Sequence, residues 1–531
     1  KLKLVAGNSI DISYKFTGML PWYPAPFDYE GTDDTSGHEG MGSIANAFDS
    51  DRMRSLINNY AQKGEFGSDT YWGGKGLTQM ALNMAFAREM NNEALFNSCH
   101  DRLKEALVNW LTYTPGEDTF FFAYDPRFHG LIGYNTSYDS DTYNDHHFHY
   151  GYFSLAAAIL CLVDDDFKQN YGEMVKLIVR DYNNYKRDDW ACFLRMMDPW
   201  AGHCYAGGMG DGAGNGQEST SESMQGWGGM YLLGVAIGDN ELRDAGIFGW
   251  ISESRATAEY WFDRHGDTTI TADYHTENAA DKDDYNIDYG KFKHTRDGVV
   301  DYTIPWSSNL TSHGVGWWTW FGGDPVFMQG IQWMPISPAL DHLGEDKAFA
   351  GWDYDRLMEL KEHKGWDGTG GTGDADLRDS DWGNVVLSYR QWSDPDDAAA
   401  ILDEGWENNW GTMKTSLTNG ITYFVTHSHR TYGDIDWTVT ANYPTARAYN
   451  KEGVKYHVAY NPTDEPITVT YSDGTSFSVP ARQMKCKELS YEAVTTVYPV
   501  DNSETDLRER LVMKNLALNK TCTASSYENE G

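Results

Sequence analysis

Residues 141–153 read DTYNDHHFHYGYF and bring titratable and aromatic side chains together where a helix is predicted to start. If the helix begins at Asn144 or Asp145, then Asp145, His149 and Tyr152 stand at i, i+4 and i+7 and project from one face. A carboxylate, an imidazole and a phenol would then converge. Two other interpretations stay open: the aspartate caps the helix while the histidines pack in a loop, or these groups bind a metal without the usual zinc-motif spacing.

Residues 207–227 read GGMGDGAGNGQESTSESMQGW and lead from a glycine-rich loop into another predicted helix. Glu218, Glu222 and Gln225 fall at i, i+4 and i+7 on one face of that helix. Adjacent carboxylates in a cleft raise the pKa of one partner, which suits acid–base chemistry, and the glycines let a ligand approach the backbone. A solvated helix start, with its acids favoured by the helix dipole, is the alternative interpretation.

Together the two segments could supply the two carboxyl groups that hydrolyse a glycosidic bond. One carboxyl must be protonated to release the leaving oxygen, and the other must be ionised to activate water or attack the sugar directly. An inverting site separates the carboxyls by about 6.5–9.5 Å, whereas a retaining site separates them by about 5–5.5 Å. The sequence does not choose between these two mechanisms.

The composition narrows the class of ligand. The 531 residues carry a formal net charge of −37, with 42 basic and 79 acidic side chains, so phosphate backbones and anionic membranes would be repelled. The 14% aromatic share, with 20 Trp and 34 Tyr, suits the apolar faces of sugar rings, although most aromatic residues fill cores. The six cysteines form no C-x-x-C pair, and no apolar run of about 18 residues predicts a membrane span. We expect a soluble protein that binds neither nucleic acid nor membrane.

Hydrophobic periodicity predicts a mainly helical chain from about residue 43 to residue 433. The predicted helices include 77–90, 94–111, 151–162, 171–185, 219–237 and 241–261. Because they follow one another without sustained β–α alternation, an α/α toroid or bundle is favoured. From residue 434 the pattern changes to short Thr-, Val- and Tyr-rich runs that predict a small β unit. Its predicted strands cover 437–441, 455–460, 467–471 and 477–479.

The expected division of the chain has five parts. These are an extended lead-in over 1–42, a helical catalytic domain over 43–433, a small β subdomain over 434–500, a linker over 501–514 and the beginning of a further module over 515–531. The lead-in contains Pro21, Pro24 and Pro26, which can continue neither a helix nor an inner strand. The first seven residues resemble no signal peptide, so secretion is inferred only from the kind of substrate.

Residues 143–152 and 215–223 resemble the signature segments of glycoside hydrolase family 81, a family of endo-β-1,3-glucanases. The resemblance covers most of residues 20–480 and continues through the segments 198–203, 329–332, 438–442 and 458–462. It implies an (α/α)6 barrel and an inverting mechanism on β-1,3-glucans of the laminarin or curdlan type.

The same resemblance implies roles for individual residues. Asp145 is expected to be the general acid and Glu218 the general base, with Glu222 supporting the base or its water. Substrate contacts are expected from His149, Tyr152, Tyr124, Asp125 and His203. No metal or other cofactor is expected in the reaction, the partner is the polysaccharide itself, and a secreted monomer is expected.

Two departures from the family pattern accompany this resemblance. Members usually carry an N-terminal β-sandwich ahead of the barrel, which this sequence does not contain, so a fragment, a processed form or a divergent architecture is expected. The residues from Asn515 onward resemble the opening strand of a discoidin-like carbohydrate-binding module. Two other functions stay open: a non-catalytic β-glucan-binding protein, and another α/α-toroid enzyme such as a lyase of uronic-acid polymers, which the negative charge disfavours.

Overall fold

The computed structural model describes residues 16–26, 45–208, 216–262, 329–360, 378, 382–410 and 419–488, together with the backbone of four short strands elsewhere. The predicted linker over 501–514 and the predicted module over 515–531 lie outside the described residues. So do most of the predicted lead-in and residues 209–215 of the glycine-rich loop. The domain boundaries expected from the sequence therefore stay predictions.

Eleven α-helices lie within the described residues, which confirms the prediction of a mainly helical protein. In chain order they are α1 (Ser50–Lys63), α2 (Thr70–Glu89), α3 (Glu93–Trp110), α4 (His146–Val163), α5 (Asp165–Asn183), α6 (Thr220–Ile237), α7 (Asn240–Ala256), α8 (Lys347–Leu360), α9 (Gly383–Arg390), α10 (Pro395–Glu407) and α11 (Asn419–Tyr432). A π-helical turn (Thr257–Trp261) extends α7, and 3₁₀ turns cover Ser140–Thr142 and Pro338–Gly344. No helix in this described part of the chain is both long and apolar enough to span a bilayer.

The described strands are short and antiparallel. Four hairpins pair β1 (Leu2–Lys3) with β2 (Ser9–Ile10), β3 (Phe121–Asp125) with β4 (Gly130–Tyr134), β5 (Met197–Asp198) with β6 (His203–Cys204), and β7 (His294–Arg296) with β8 (Val299–Asp301). After the helices come β9 (Asp434–Ile435), β10 (Ala446–Lys451), β11 (Val454–Tyr460), β12 (Ile467–Thr470), β13 (Ser476–Val479) and β14 (Met484–Cys486). Four of them form a sheet in the order β14-β11-β10-β9, and β12 pairs with β13.

Helices α4 and α6 touch at two glycines, and this contact decides where the site lies. A Cβ on Gly151 of α4 would lie 2.9 Å from the Cα of Gly226 of α6, which is closer than side-chain contacts allow. Further along both helices, a Cβ on Gly229 of α6 would meet Ser154 of α4. Because the residue numbers rise together on the two helices, α4 and α6 run parallel and begin at the same end.

The helices differ in how much of their surface is buried. Every residue of α4 except Val163 is buried, and α2 and α6 are buried over most of their lengths. Helix α3, in contrast, buries Phe96, Cys99, Leu103 and Leu107, which recur every three or four residues and so form one face. Helices α2, α4 and α6 are therefore internal, and α3 is peripheral.

Helices α2, α4 and α5 begin earlier than the predicted ranges 77–90, 151–162 and 171–185. Helix α2 begins at Thr70 because the side chain of Asp69 accepts hydrogen bonds from two backbone N–H groups, at 2.8 Å each. Its first turns contain Gly74, where a Cβ would lie 2.9 Å from the Cβ of Tyr152, so glycine there reflects close packing and not a loop. Helix α4 begins at His146, so the whole histidine cluster is helical.

The predicted strand over 437–441 is wrong, and a strand was missed beside it. The side chain of Asp436 accepts a hydrogen bond from the N–H of Thr438 at 3.0 Å, and this bond folds the segment into a turn. Strand β10 reads ARAYNK and was missed because Ala, Asn and Lys are uncommon in strands. Its Arg447 is nevertheless buried, because an ion pair with Asp341 at 2.8 Å compensates its charge.

Candidate active site

A pocket of about 990 Å³ lies at the N-terminal ends of α2, α4 and α6. Its volume is at the upper end of the range typical of ligand sites, about 300–1,000 Å³. Three later segments complete the wall, with side chains that include Ile331, Trp382 and Ile421. The wall contains four of the predicted site residues, which are Asp145, His149, Glu218 and Glu222.

Asp145 stands directly before α4 but does not cap it. Its backbone has φ 58° and ψ 12°, in the left-handed region, and its side chain makes no capping hydrogen bond to the helix. Asn144 donates a hydrogen bond from Nδ2 to Oδ2 of Asp145 at 2.9 Å, and the Asp145 N–H donates to the carbonyl of Ala206, also at 2.9 Å. A left-handed conformation at a residue other than glycine costs about 1–3 kcal/mol. The surroundings that impose it place the Asp145 carboxyl in the pocket wall instead of over the helix terminus.

Glu218 precedes α6 and is held in the same way. Its φ is 48°, again left-handed, and the next residue, Ser219, is the N-cap of the helix. Gln332 fixes the backbone on both sides of this turn. Its Nε2 donates to the carbonyl of Glu218 at 2.6 Å, and its Oε1 accepts from the N–H of Thr220 at 2.9 Å. Both predicted catalytic carboxyls therefore sit on strained residues at the starts of parallel helices.

Glu222 lies one turn into α6 and is 2% exposed. A single oxygen, Oε1, accepts hydrogen bonds from the hydroxyls of Tyr71 at 2.8 Å and Tyr152 at 2.5 Å. The ammonium of Lys75 lies 3.0 Å from the same oxygen. Burial and the nearby Glu222 raise the pKa values of both tyrosines well above their ordinary range, so these hydroxyls keep their protons.

His149 and Tyr152 converge on this part of the molecule, as their spacing on α4 predicted. Nδ1 of His149 lies 2.7 Å from the hydroxyl oxygen of Thr70. The ring centroid of Tyr71 lies 5.2 Å from that of His149 and 6.2 Å from that of Tyr152. Burial, with a smaller contribution from neighbouring positive groups, lowers the pKa of His149 well below its ordinary value. The imidazole is therefore neutral at neutral pH.

A buried network behind the pocket anchors the residue before Glu218. Nε2 of His147 lies 3.0 Å from Oε1 of Gln217, and Gln217 donates to the carboxylate of Glu253. Glu253 also accepts from the indole of Trp227 at 2.7 Å. Burial lowers the pKa of His147 to about 3, so it acts as a neutral hydrogen-bonding group. This chain of contacts connects the histidine segment of α4 to the turn that carries Glu218.

Four of the five predicted substrate contacts are not in the described wall of the pocket: Tyr152, which is buried and donates to Glu222, and Tyr124, Asp125 and His203. Tyr124 donates its hydroxyl to the carbonyl of Trp190 at 2.7 Å. Asp125 forms an ion pair with Arg127 at 2.7 Å. His203 is buried, and its Nδ1 lies 2.8 Å from a backbone carbonyl. The contacts described for Tyr124, Asp125 and His203 are therefore with nearby groups of the protein itself.

Sequence reasoning missed four pocket residues, which are Tyr71, Trp72, Lys75 and Tyr138. The first three come from residues 70–76, which read TYWGGKG. This segment was left outside the predicted helix because of its glycines. A lysine between glycines and aromatic residues on an otherwise apolar helix was the available signal, because an isolated buried charge requires a partner.

Among the described residues, no three or more His, Cys, Asp or Glu side chains are grouped so that they could hold a metal ion. Of the histidine and four acids in the wall, His149 contacts Thr70, and Glu222 contacts Tyr71, Tyr152 and Lys75. That the reaction needs no cofactor stays a prediction.

Comparison with known proteins places most of the chain in one family. Residues 42–412 match the profile of the glycosyl hydrolase family 81 C-terminal domain. A relative from Thermobifida fusca is 31% identical over 493 residues, which are 91% of this chain and 56% of that protein. One from Acetivibrio thermocellus is 30% identical over 490 residues, which are 91% of this chain and 55% of the relative. Both carry the name glucan endo-1,3-beta-D-glucosidase.

A solved structure gives the same assignment. It is that of a mutant glycoside hydrolase of family 81 from Clostridium thermocellum, with a TM-score of 0.70 and 28% sequence identity. The match covers 89% of this chain and 58% of that one. This chain thus spans a little over half the length of the relatives that it matches.

Proposed function

This chain belongs to glycoside hydrolase family 81, and from that premise we propose that it cleaves β-1,3-glucan chains internally, with inversion at the anomeric carbon. The observation that carries the proposal is the shared pocket wall, in which Asp145 and Glu218 stand at the starts of two parallel helices. Inverting hydrolysis needs two such carboxyls with room for a water molecule between one of them and the sugar. The names of the relatives supply the linkage that the enzyme would cleave.

The two carboxyls take different parts in the proposed reaction. Asp145 gives its proton to the glycosidic oxygen as the bond to the anomeric carbon breaks. Glu218 removes a proton from the water that attacks the same carbon from the opposite side, so that one water molecule is added across the bond. Glu222, whose Oε1 lies 3.0 Å from the ammonium of Lys75, supports Glu218 or its water. His149, being neutral, contributes a hydrogen bond and not a charge.

We propose that the helices form an (α/α)6 barrel. Helices α4 and α6 are parallel neighbours, and each is followed directly by the next helix of the chain, α5 after α4 and α7 after α6. The internal helices α2, α4 and α6 alternate in sequence with helices such as α3 that bury only one face. An inner and an outer ring of helices would produce this alternation, and the pocket lies at the inner N-terminal ends.

Trp72 and Tyr138 are proposed as further substrate contacts. They are 52% and 57% exposed, both line the pocket, and the Trp72 indole donates to the Tyr138 hydroxyl at 3.1 Å, which fixes the two rings together. Flat aromatic faces suit pyranose rings. Trp72→Ala should raise KM for laminarin about tenfold and change kcat less, since an indole ring supplies a stacking surface and no acid or base. The contacts expected from Tyr124, Asp125 and His203 remain proposals for substrate that extends beyond the pocket.

The location and the oligomeric state of the enzyme are proposed from its substrate and its chemistry. A polysaccharide is too large to enter a cell, so secretion is proposed, and a monomer that needs no cofactor is consistent with two carboxyls performing the chemistry. The discoidin-like module expected from residue 515 would add a carbohydrate contact.

Release of reducing ends from laminarin tests the proposal. Glu218→Gln should reduce the rate by about 10²–10⁴-fold, the usual contribution of a general base, and still bind glucan. Glu241→Gln, on the exposed surface of α7, is the matched control and should retain the rate. NMR of the first product should show the α-anomer. Binding to curdlan without new reducing ends would favour a glucan-binding protein, and an unsaturated product would indicate a lyase.

A further inference from the structure

Lys75 holds an unusual position in the pocket. It is 6% exposed, and among the described residues of the wall it is the one Lys or Arg side chain. The same wall contains four acids, which are Asp139, Asp145, Glu218 and Glu222. Its ammonium lies 4.2 Å from the ring centre of Tyr71 and 5.3 Å from that of Trp72. A buried cation surrounded by aromatic faces is therefore directed to one carboxylate.

Three side chains direct hydrogen-bond donors at one oxygen of Glu222. Tyr71 and Tyr152 each donate a hydroxyl hydrogen to Oε1. The ammonium of Lys75 lies 3.0 Å from the same oxygen and also donates to the hydroxyl oxygen of Tyr71. Together these donors would compensate a negative charge at Oε1.

Burial alone favours the neutral form of a carboxyl group. A carboxyl group as enclosed as Glu222 is normally neutral, because the apolar interior disfavours its charge, unless a cation and hydrogen-bond donors compensate. Burial also lowers the pKa of Lys75, while Glu222 and Glu218 act in the opposite direction. The two charges thus depend on each other. The other titratable groups around this cluster are Tyr71, Tyr152, His149 and Glu218.

We propose that Lys75 is a positioning residue, which holds Glu222 as an ionised carboxylate so that Glu218 and Asp145 alone exchange protons. The inference rests on the proposed glucanase function for its activity readout. With Glu222 fixed, two acidic side chains four residues apart in the chain have separate tasks. Glu218 accepts the proton of water, and Glu222 supplies a constant negative charge beside it.

The pH dependence of hydrolysis tests this role. In Lys75→Met, Glu222 keeps its tyrosine donors but loses its cation, so it should protonate at higher pH. The acidic limb of the kcat/KM profile should therefore move upward by about one to three pH units, with activity recovering on the alkaline side. Lys75→Arg should restore the limb. A loss that is uniform across pH, with an unmoved limb, would overturn the proposal.

A second measurement does not require activity. Carbon-13 labelling of glutamate carboxyls, with the Glu222 signal assigned by its loss in Glu222→Gln, should show this carboxyl titrating at higher pH in Lys75→Met. If that variant does not fold, Tyr152→Phe removes one donor and should shift the titration in the same direction by less. Lys104→Met removes a cation paired with Asp164 at 2.9 Å outside the pocket and should leave both profiles unchanged. An inactive wild-type enzyme would refute the glucanase proposal, whereas an unshifted Glu222 signal would refute only the role of Lys75.

Discussion

Helix α4 has an aspartate at each end, and the two differ in what their carboxylates do. Asp164 ends α4 and caps α5: its φ is −129°, and its Oδ1 accepts a hydrogen bond from the N–H of Phe167 at 2.8 Å. Its Oδ2 lies 2.9 Å from both His100 and Lys104. Asp145 stands at the same position before α4, but its φ is 58° and its side chain makes no cap.

The difference shows that an aspartate before a helix has two possible uses, and the backbone selects between them. An extended N-cap turns the carboxylate over the free N–H groups of the first turn, where it stabilises the helix. A left-handed residue turns it away. The protein thus gives up one helix cap at Asp145 and gains a carboxyl in a pocket.

The largest effect expected from this comparison is on catalysis. Asp145→Asn should lower laminarin hydrolysis by about 10²–10⁴-fold, because the amide has no proton to give to the leaving oxygen. Asp164→Asn should leave hydrolysis within about twofold of wild type, since asparagine caps a helix as well as aspartate does. Reducing-sugar release at saturating laminarin measures both. Equal losses in the two variants would show that Asp145 acts through the stability of α4 and not as the acid.

The sequence predicted the helical class, because helical periodicity is a local pattern, and it singled out the two segments that supply acids to the pocket wall. Asp145 and His149 do share that wall, and the ring of Tyr152 lies against Tyr71, another wall residue. The catalytic roles of these residues stay predictions. The start of α2 and strand β10 were not predictable in this way. In α2, close packing at Gly74 allows a helix where glycines predict a loop. In β10, burial of the first four residues stabilises a strand that residue preferences do not predict.

The site was predictable only in part for a related reason. Spacing along one helix can place Glu218 near Glu222, but it cannot show that Lys75 comes from another helix to pair with Glu222. Nor does any local pattern distinguish Asp145 from Asp164, since both precede helices. The distinction lies in backbone angles that depend on long-range contacts, such as the bond from the Asp145 N–H to the carbonyl of Ala206.

A smaller effect is expected on stability, where substitution of Asp164 should cost more than substitution of Asp145. Asp164→Ala removes the cap of α5 and should lower the free energy of unfolding by about 1–2 kcal/mol. Asp145→Ala removes no cap, but alanine adopts the left-handed conformation less readily than aspartate, so the loss should be below about 1 kcal/mol and smaller than at Asp164. Urea unfolding followed by circular dichroism measures both values. A larger loss in Asp145→Ala would mean that this side chain supports the helix after all.

The smallest expected effect concerns pH, and it again separates the two ends of α4. Burial lowers the pKa of His100, but hydrogen bonds to Asp164 and Asp101 outweigh it, so the pKa is raised overall. A raised pKa in the folded state contributes stability that is complete below about pH 6.5 and is lost as the pH rises through the folded value. Wild type should therefore lose stability relative to His100→Gln between about pH 6 and 8, by less than about 1 kcal/mol, as for partly exposed ion pairs.

The histidine nearest to Asp145 should behave differently. Burial lowers the pKa of His146, despite the nearby Asp181, so this ring is already neutral across the same pH range and adds no such slope. Urea unfolding at several pH values checks the prediction for His100, and Asp164→Asn serves as the control because it removes the partner. In that background His100→Gln should change the slope much less. An undiminished effect would assign the slope to Asp101 and would remove Asp164 from the ion pair that distinguishes this end of α4.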